Sequence, residues 1–349
     1  MALLAFEDFK SPIGYISNPH AISYSGTVGF GAYGEGGTRG ARSRENANAY
    51  MIIDVTTTAP TTLFFGTRWR KASAGFDTND DHVRVNDSTG SQIMALRTGS
   101  GGEANIYDAA GALIGATSGA QFGDDNTWSF WEFKLVAGTG VNGTLDIRRN
   151  GVSIFSATGQ DFTDGNDNIG TVWLAGGGNF GDKYMYFDKL QANDTAGSYN
   201  NDWMGEITAE YVMPDGNGNS SNWVGSDGNS TDNYLLVDEA TAGGGGRDDA
   251  DYVQAGTEGN IDLYTYAALS GSGAIVAVDV LPYTMLPDGG SRFIRGKTRI
   301  SATNYDSATA AVADSEGRAL RFESNPNAAA PWTAAAVNGA EFGYEVRDS

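Results

Sequence analysis

Two histidines, His20 and His82, and no cysteine set the chemical inventory of this chain. A Ser–His–Asp triad would use one of the two, but no Gly-x-Ser-x-Gly elbow supplies its nucleophile, and a multi-histidine metal site is excluded. The missing Cys also removes a disulfide scaffold, a Cys-ligated zinc module and a cysteine nucleophile. Carboxylates are plentiful. Glu206-Ile207-Thr208-Ala209-Glu210 reads as a strand with Glu206, Thr208 and Glu210 on one face. Positions i and i+4 of a strand are about 13 Å apart, whereas retaining glycoside hydrolysis needs carboxyl groups ~5–5.5 Å apart. Two solvent-facing glutamates are the plainer reading. Asp161-x-x-Asp164-Gly165-Asn166-Asp167-Asn168 offers hard oxygen ligands, with Asp164 and Asp167 the candidate calcium ligands. Its spacing matches no EF-hand loop, and Asx turns use the same residue types. Asp77–Asp81 and Asp124-Asp125-Asn126 are similar clusters. Gly296-Lys297-Thr298 imitates the end of a phosphate-binding loop, but Ser291 stands where that loop requires Gly, and the surroundings read as a strand with exposed basic residues.

Two further groups are candidates for surface recognition. Arg39, Arg42 and Arg44 form a small basic exception in an acidic chain, either as a solvated loop or as a docking point for an acidic neighbour. Strand tryptophans flanked by alternating residues belong to cores; Trp223, between Asn-rich and Gly/Asp-rich segments, is the candidate for an exposed sugar-stacking ring.

The elements that position these residues are short strands. The chain has 349 residues, 49 of them Gly and 8 Pro, with a formal charge of −21. That charge argues against nucleic-acid binding, which needs clustered Lys and Arg. No apolar stretch reaches the ~18 residues of a membrane span. Aromatic content of 11% supplies the burial that a disordered chain lacks. Apolar spacing is mostly of period two. Strands are expected at 50–55, 62–69, 82–85, 92–96, 103–107, 112–117, 128–136, 144–149, 152–155, 170–174 and 184–190. Asp108–Gly111 and Asn150-Gly151 are hairpin turns, the second suited to a type I′ turn. Polar Gln191–Asn201 reads as a linker. Further strands are expected at 205–214, 234–238, 261–266, 274–281, 293–300, 319–323 and 342–346, with brief helix at 307–314 and 333–337 from their alanines.

Residues 1–195 resemble the concanavalin A-like, laminin-G-like jelly roll. The resemblance is carried by Phe6-Glu7-Asp8-Phe9, by Trp128-x-x-Trp131-Glu132-Phe133-Lys134-Leu135 with Gly143–Gly151, and by Tyr186-Phe187-Asp188-Lys189-Leu190. It implies that the first and last strands pair in one sheet. Residues 203–349 are similar to a module that follows such jelly rolls in tailed-bacteriophage virion proteins. The matching text includes Asn222-Trp223, Tyr234-x-x-Val237-Asp238-Glu239, Asp262-Leu263-Tyr264 and Pro331-Trp332-Thr333. The expectation is therefore all-β: a jelly-roll sandwich followed by a second β-rich domain.

What the resemblance implies for function is a bacteriophage virion structural protein, in the capsid or the tail, without enzymatic activity. Its expected partners are other virion proteins and copies of itself, with a trimer favoured. The short, acid-interrupted apolar start is not a signal peptide, so the expected route is synthesis in the host cytoplasm and assembly into the virion. Two alternatives stand beside it: a lectin-like module binding host glycan, with or without calcium, and a glycoside hydrolase on a jelly-roll fold.

Overall fold

The computed structural model describes residues 3–7, 16–17, 22–25, 28–31, 35, 40–44, 50–71, 81–122, 127–175, 184–238, 250–286, 290–312 and 316–348. The chain divides into two compact units: Met1–Lys10 with Asn18–Thr208, and Ser11–Ser17 with Ala209–Ser349.

The first unit is a jelly-roll sandwich of two antiparallel sheets. Among the described residues one sheet has eight strands. Its spatial order is Val152–Gln160, Gly143–Arg149, Ser129–Val136, Thr62–Lys71, Tyr184–Asp194, Gly40–Arg44 and Val28–Gly31, with Leu3–Glu7 also paired to Tyr184–Asp194. The opening and closing strands thus meet, with Phe6 opposite Gln191. The other sheet has seven strands in the order Leu113–Ala116, Ala104–Tyr107, Gln92–Thr98, Asp81–Asp87, Ile169–Ala175, Tyr50–Asp54 and Ile22–Ser25. Alternation sends one side chain in two inward, and both sheets contribute to a single core. Trp131 is fully buried there, with Trp69 at 4.9 Å and Phe122 at 5.5 Å between ring centroids. Asn150 and Gly151 close their hairpin with φ of +50° and +77°, as a type I′ turn requires.

The second unit is built on a five-stranded sheet in the order Pro214–Ser221, Ile261–Tyr266, Glu341–Arg347, Phe293–Ile300 and Thr303–Ala311. One face of it carries Tyr264, Phe342, Tyr344 and Ile294 into a core with Leu320, Phe322 and Trp332. The short strands Val278–Val280 and Leu320–Phe322 pair with each other, and Ile16–Ser17 runs parallel to Glu316–Arg318. A helix, Ala334–Asn338, is capped by Thr333, whose Oγ1 accepts from the Ala336 amide at 3.2 Å.

Four local expectations differ from the structure. Gln191–Asp194 are not linker; they continue the closing strand, paired along Thr62–Lys71. Residues 307–311 are strand, because pairing with Phe293–Ile300 outweighs the small helical preference of alanine. Asn233–Leu236 form a 3-10 turn where a strand was expected. The Asn233 amide holds that turn by donating to the Trp223 carbonyl and to Asp262. Residues 205–213 form no strand. Their two glutamates part company: Glu206 meets Arg68 and Lys189, while Glu210 accepts from the Ser270 and Gly271 amides.

Candidate functional site

On the seven-stranded sheet, Val83, Val85, Leu96, Ile106, Val172 and Leu174 point into the core and are fully buried. Arg84, Tyr107 and Trp173, which alternate with them, therefore face outward, whereas a register shift between Asp81 and Val83 turns His82 inward. Pairing places Tyr107 opposite Ala95, Ala95 opposite Arg84, and Arg84 opposite Trp173, a single row perpendicular to four strands. Three strand spacings separate its aromatic ends by about 14 Å. Two arginines tie the row together. The Arg97 guanidinium lies 4.5 Å from the centroid of the Tyr107 ring, and that of Arg84 lies 5.8 Å from Trp173. Both donate to one carboxylate: Arg97 Nε to Asp81 Oδ1 at 2.6 Å, and Arg84 Nε to Asp81 Oδ2 at 2.9 Å. Tyr50 extends the aromatic end, its ring 4.8 Å from Trp173. The arginine side chains keep 31% and 25% of their surface exposed, against 10% for Asp81. The row thus combines flat apolar rings with guanidinium donors fixed in place by stacking and by a shared acid.

The outer face of the eight-stranded sheet is different, because residues 200–207 cross it. The Asn193 amide donates to the carbonyls of Asn200 and Asp202 at 2.8 and 3.0 Å. Trp203 packs edge-on against Phe64 and lies 3.9 Å beneath the Arg148 guanidinium. Gly205 donates its amide to Glu132 at 2.9 Å, while Gln191 donates to the Gly205 carbonyl and accepts from the Ile207 amide. Glu206 then bridges two cations, at 2.6 Å from Arg68 Nη1 and 2.5 Å from Lys189 Nζ. A bulge sets this up. The pairing of Tyr184–Asp194 with Thr62–Lys71 shifts between Asp188 and Gln191, and Lys189 holds φ +54° there, in the left-handed region. Glu35 takes the other side of the Arg68 guanidinium at 2.5 Å. Burial works against charge on Arg68, but Glu35 and Glu206 outweigh it and hold its pKa above the ordinary value. Burial pushes the Glu132 carboxyl up, opposed by the Gly205 amide and Arg148. Beyond the crossing, Arg70 stacks between Tyr186 at 4.2 Å and Trp128 at 5.3 Å.

The residues singled out in the sequence fall elsewhere. Asp164 and Asp167 are exposed on the loop before Ile169, and Asp167 accepts from Thr139 Oγ1 at 3.3 Å. Among the described residues no group of three or more His, Cys, Asp or Glu is placed to hold a metal ion. Trp223 does not stand free: its ring packs against Tyr344 at 4.8 Å, and its Nε1 donates to the Asn260 carbonyl. Arg39 lies outside the described residues, as do the side chains of Arg42 and Arg44, whose backbones pair with Tyr186 and Tyr184. His82 is buried in the core, its ring 4.7 Å from Phe122 and its Nε2 bonded to Thr98. Lys297 sits on the predicted strand but is buried rather than exposed, paired with Asp306 and Glu345 at 2.5 and 2.6 Å. Arg84, Trp173 and Tyr107 each stand beside core residues at outward positions, a parity visible in the sequence; their meeting in one row is set by register, which is not.

No protein-family model matches the chain, and no curated protein matches it. Solved structures similar to it include an endo-β-1,4-glucuronan lyase from the fungus Trichoderma reesei, 9% identical, covering 50% of this chain and 90% of that one with a TM-score of 0.36. Domain 4 of an extracellular arabinanase from Geobacillus stearothermophilus, solved with arabinotriose, is 15% identical over 59% of this chain and 94% of that one, with a TM-score of 0.39. A galectin from Caenorhabditis elegans is 13% identical over 41% and 89%, with a TM-score of 0.29. The expectation of a protein without enzymatic activity is corrected here: a polysaccharide lyase stands among the structural neighbours, and the exclusion of catalysis is withdrawn. Among the described residues no helix is long and apolar enough to cross a membrane.

Proposed function

We propose that the jelly-roll unit binds carbohydrate across the outer face of its seven-stranded sheet. The observation that carries this reading is the in-register row of Tyr107, Arg84 and Trp173, with Arg97 and Asp81 beside it. Aromatic faces take the apolar C–H face of a pyranose ring, while guanidinium and carboxylate groups exchange hydrogen bonds with its hydroxyls. A span of about 14 Å exceeds one sugar ring, so the ligand is an oligosaccharide lying across the strands. The sequence resemblance to tailed-bacteriophage virion modules supports a finer setting: a virion component, assembled as a homo-oligomer, that meets glycan on a host surface. A glycan array tests the binding, with chelator in a parallel arm to test a calcium contribution from Asp164 and Asp167. Mass spectrometry of purified particles tests the setting; absence of the chain from them would remove it while leaving glycan binding intact.

A further inference from the structure

Arg68 and Lys189 carry a second inference, on the other sheet from the row above. We infer that these two cations form a carboxylate-binding subsite which the chain's own Glu206 fills, and which takes the carboxylate of an acidic sugar when residues 200–207 lift away.

The cations belong to the sheet, not to the crossing segment. Arg68 stands on the Thr62–Lys71 strand, and Lys189 is aimed by a bulge that keeps a non-glycine residue at φ +54°. Such strain persists where the surroundings over-determine it, and bulges of this kind re-aim side chains at sites of function. Among the described residues the buried Arg68 Nε has no hydrogen-bond partner, so the guanidinium has donor capacity that Glu206 does not use. Residues 200–207 add no strand to the sheet and are held through side chains: Asn193, Gln191, Glu132, Arg68 and Lys189. A segment bound this way detaches without breaking the ladder beneath it.

The groups it would uncover favour a sugar acid. Gln191 donates and accepts, Asn193 donates, and Glu132 accepts. A hydroxyl satisfies either kind of partner, so a polyol replaces the peptide groups of the crossing segment one for one. The place Trp203 now takes between Arg148 and Phe64 suits a ring. An anionic oligosaccharide therefore fits both the cation pair and its surroundings.

The test is a titration of wild-type protein and Glu206→Gln with an oligogalacturonate, a neutral cello-oligosaccharide and an oligoglutamate peptide. The inference predicts that Glu206→Gln binds the oligogalacturonate about tenfold tighter or better, some 1.4 kcal/mol, with no gain for the other two. Adding Arg68→Met removes the gain, and Trp173→Ala leaves it in place, which separates this site from the one proposed above. No gain for the oligogalacturonate, or an equal or larger gain for the neutral sugar or the peptide, overturns it. Should Glu206→Gln fail to fold, hydrogen exchange on the wild type decides. Faster exchange at the Gly205 and Ile207 amides under saturating oligogalacturonate supports the inference, and unchanged exchange refutes it.

Discussion

Lys189 Nζ lies 2.5 Å from Glu206 Oε1, across 17 positions of chain. The backbone makes this pairing as much as the charges do, because Lys189 occupies the left-handed region inside the longest strand of the jelly roll. Its replacement therefore separates two contributions. Glycine within a strand normally destabilises by about 0.5–1 kcal/mol relative to alanine. At φ +54° the order reverses: Lys189→Gly is expected to be more stable than Lys189→Ala by about 1 kcal/mol, measured by equilibrium urea unfolding. Alanine equal to or better than glycine would show that the left-handed backbone is not retained.

Trp131 is the pivot of the jelly-roll core, stacked near Phe122 and tilted against Trp69, with its Nε1 donating to Ser129 Oγ at 3.0 Å. Truncation opens a cavity that neighbouring strands close only in part. Trp131→Ala is expected to destabilise the jelly-roll unit by about 3–5 kcal/mol, read from the denaturation midpoint.

Asp262 organises the second unit. Fully buried, it accepts from the Trp223 amide at 3.1 Å, from Asn233 Nδ2 at 2.6 Å and from the Tyr264 hydroxyl at 2.9 Å. Burial pushes its carboxyl up, with the three donors opposing. Asp262→Ala removes all three bonds and leaves the Trp223 amide without this acceptor, and is expected to destabilise by about 3 kcal/mol or more. Tyr264→Phe removes one bond to each of Asp262 and Tyr344, for a loss of about 1–2 kcal/mol. Near-equal losses for the two variants would refute the hub role.

Glu345 governs an acid transition of the same unit. Burial raises its carboxyl, but the bonds from Arg295 and Lys297 outweigh it, and its pKa lies below the ordinary value. In the unfolded chain a Glu titrates near ~4.3. The unfolded state thus takes up the proton first, so the stability from Glu345 is present above about pH 4.3 and is lost as pH falls through the depressed folded value. Chemical unfolding between about pH 6 and pH 3 should show wild type losing more stability than Glu345→Gln. Parallel curves would contradict the assignment.

The sequence made the fold legible wherever alternation was clean. Thr62–Lys71, Ser129–Val136, Phe293–Ile300 and the Asn150-Gly151 hairpin all form close to where their pattern places them. Period-two spacing with a turn residue at the end has one structural solution. Legibility failed where a long-range partner decides the local form. Ala308, Ala310 and Ala311 become strand because a neighbour offers a ladder, and Asn233 bends the chain toward a carboxylate 29 residues away. The site candidates failed for the same reason. Trp223 looks exposed among polar neighbours until Tyr344 and Asp262 are brought beneath it. Arg84 and Trp173 look unremarkable until register sets them opposite each other, 89 residues apart in sequence by their numbers.

The central claim is that this row binds oligosaccharide, and isothermal titration of an array-selected glycan against wild type and Trp173→Ala tests it most directly. Loss of a stacking ring is expected to weaken binding about tenfold or more, in a variant whose cooperative unfolding shows that the jelly-roll unit still folds. Undiminished affinity in Trp173→Ala, or no glycan bound by the wild type, would contradict the account.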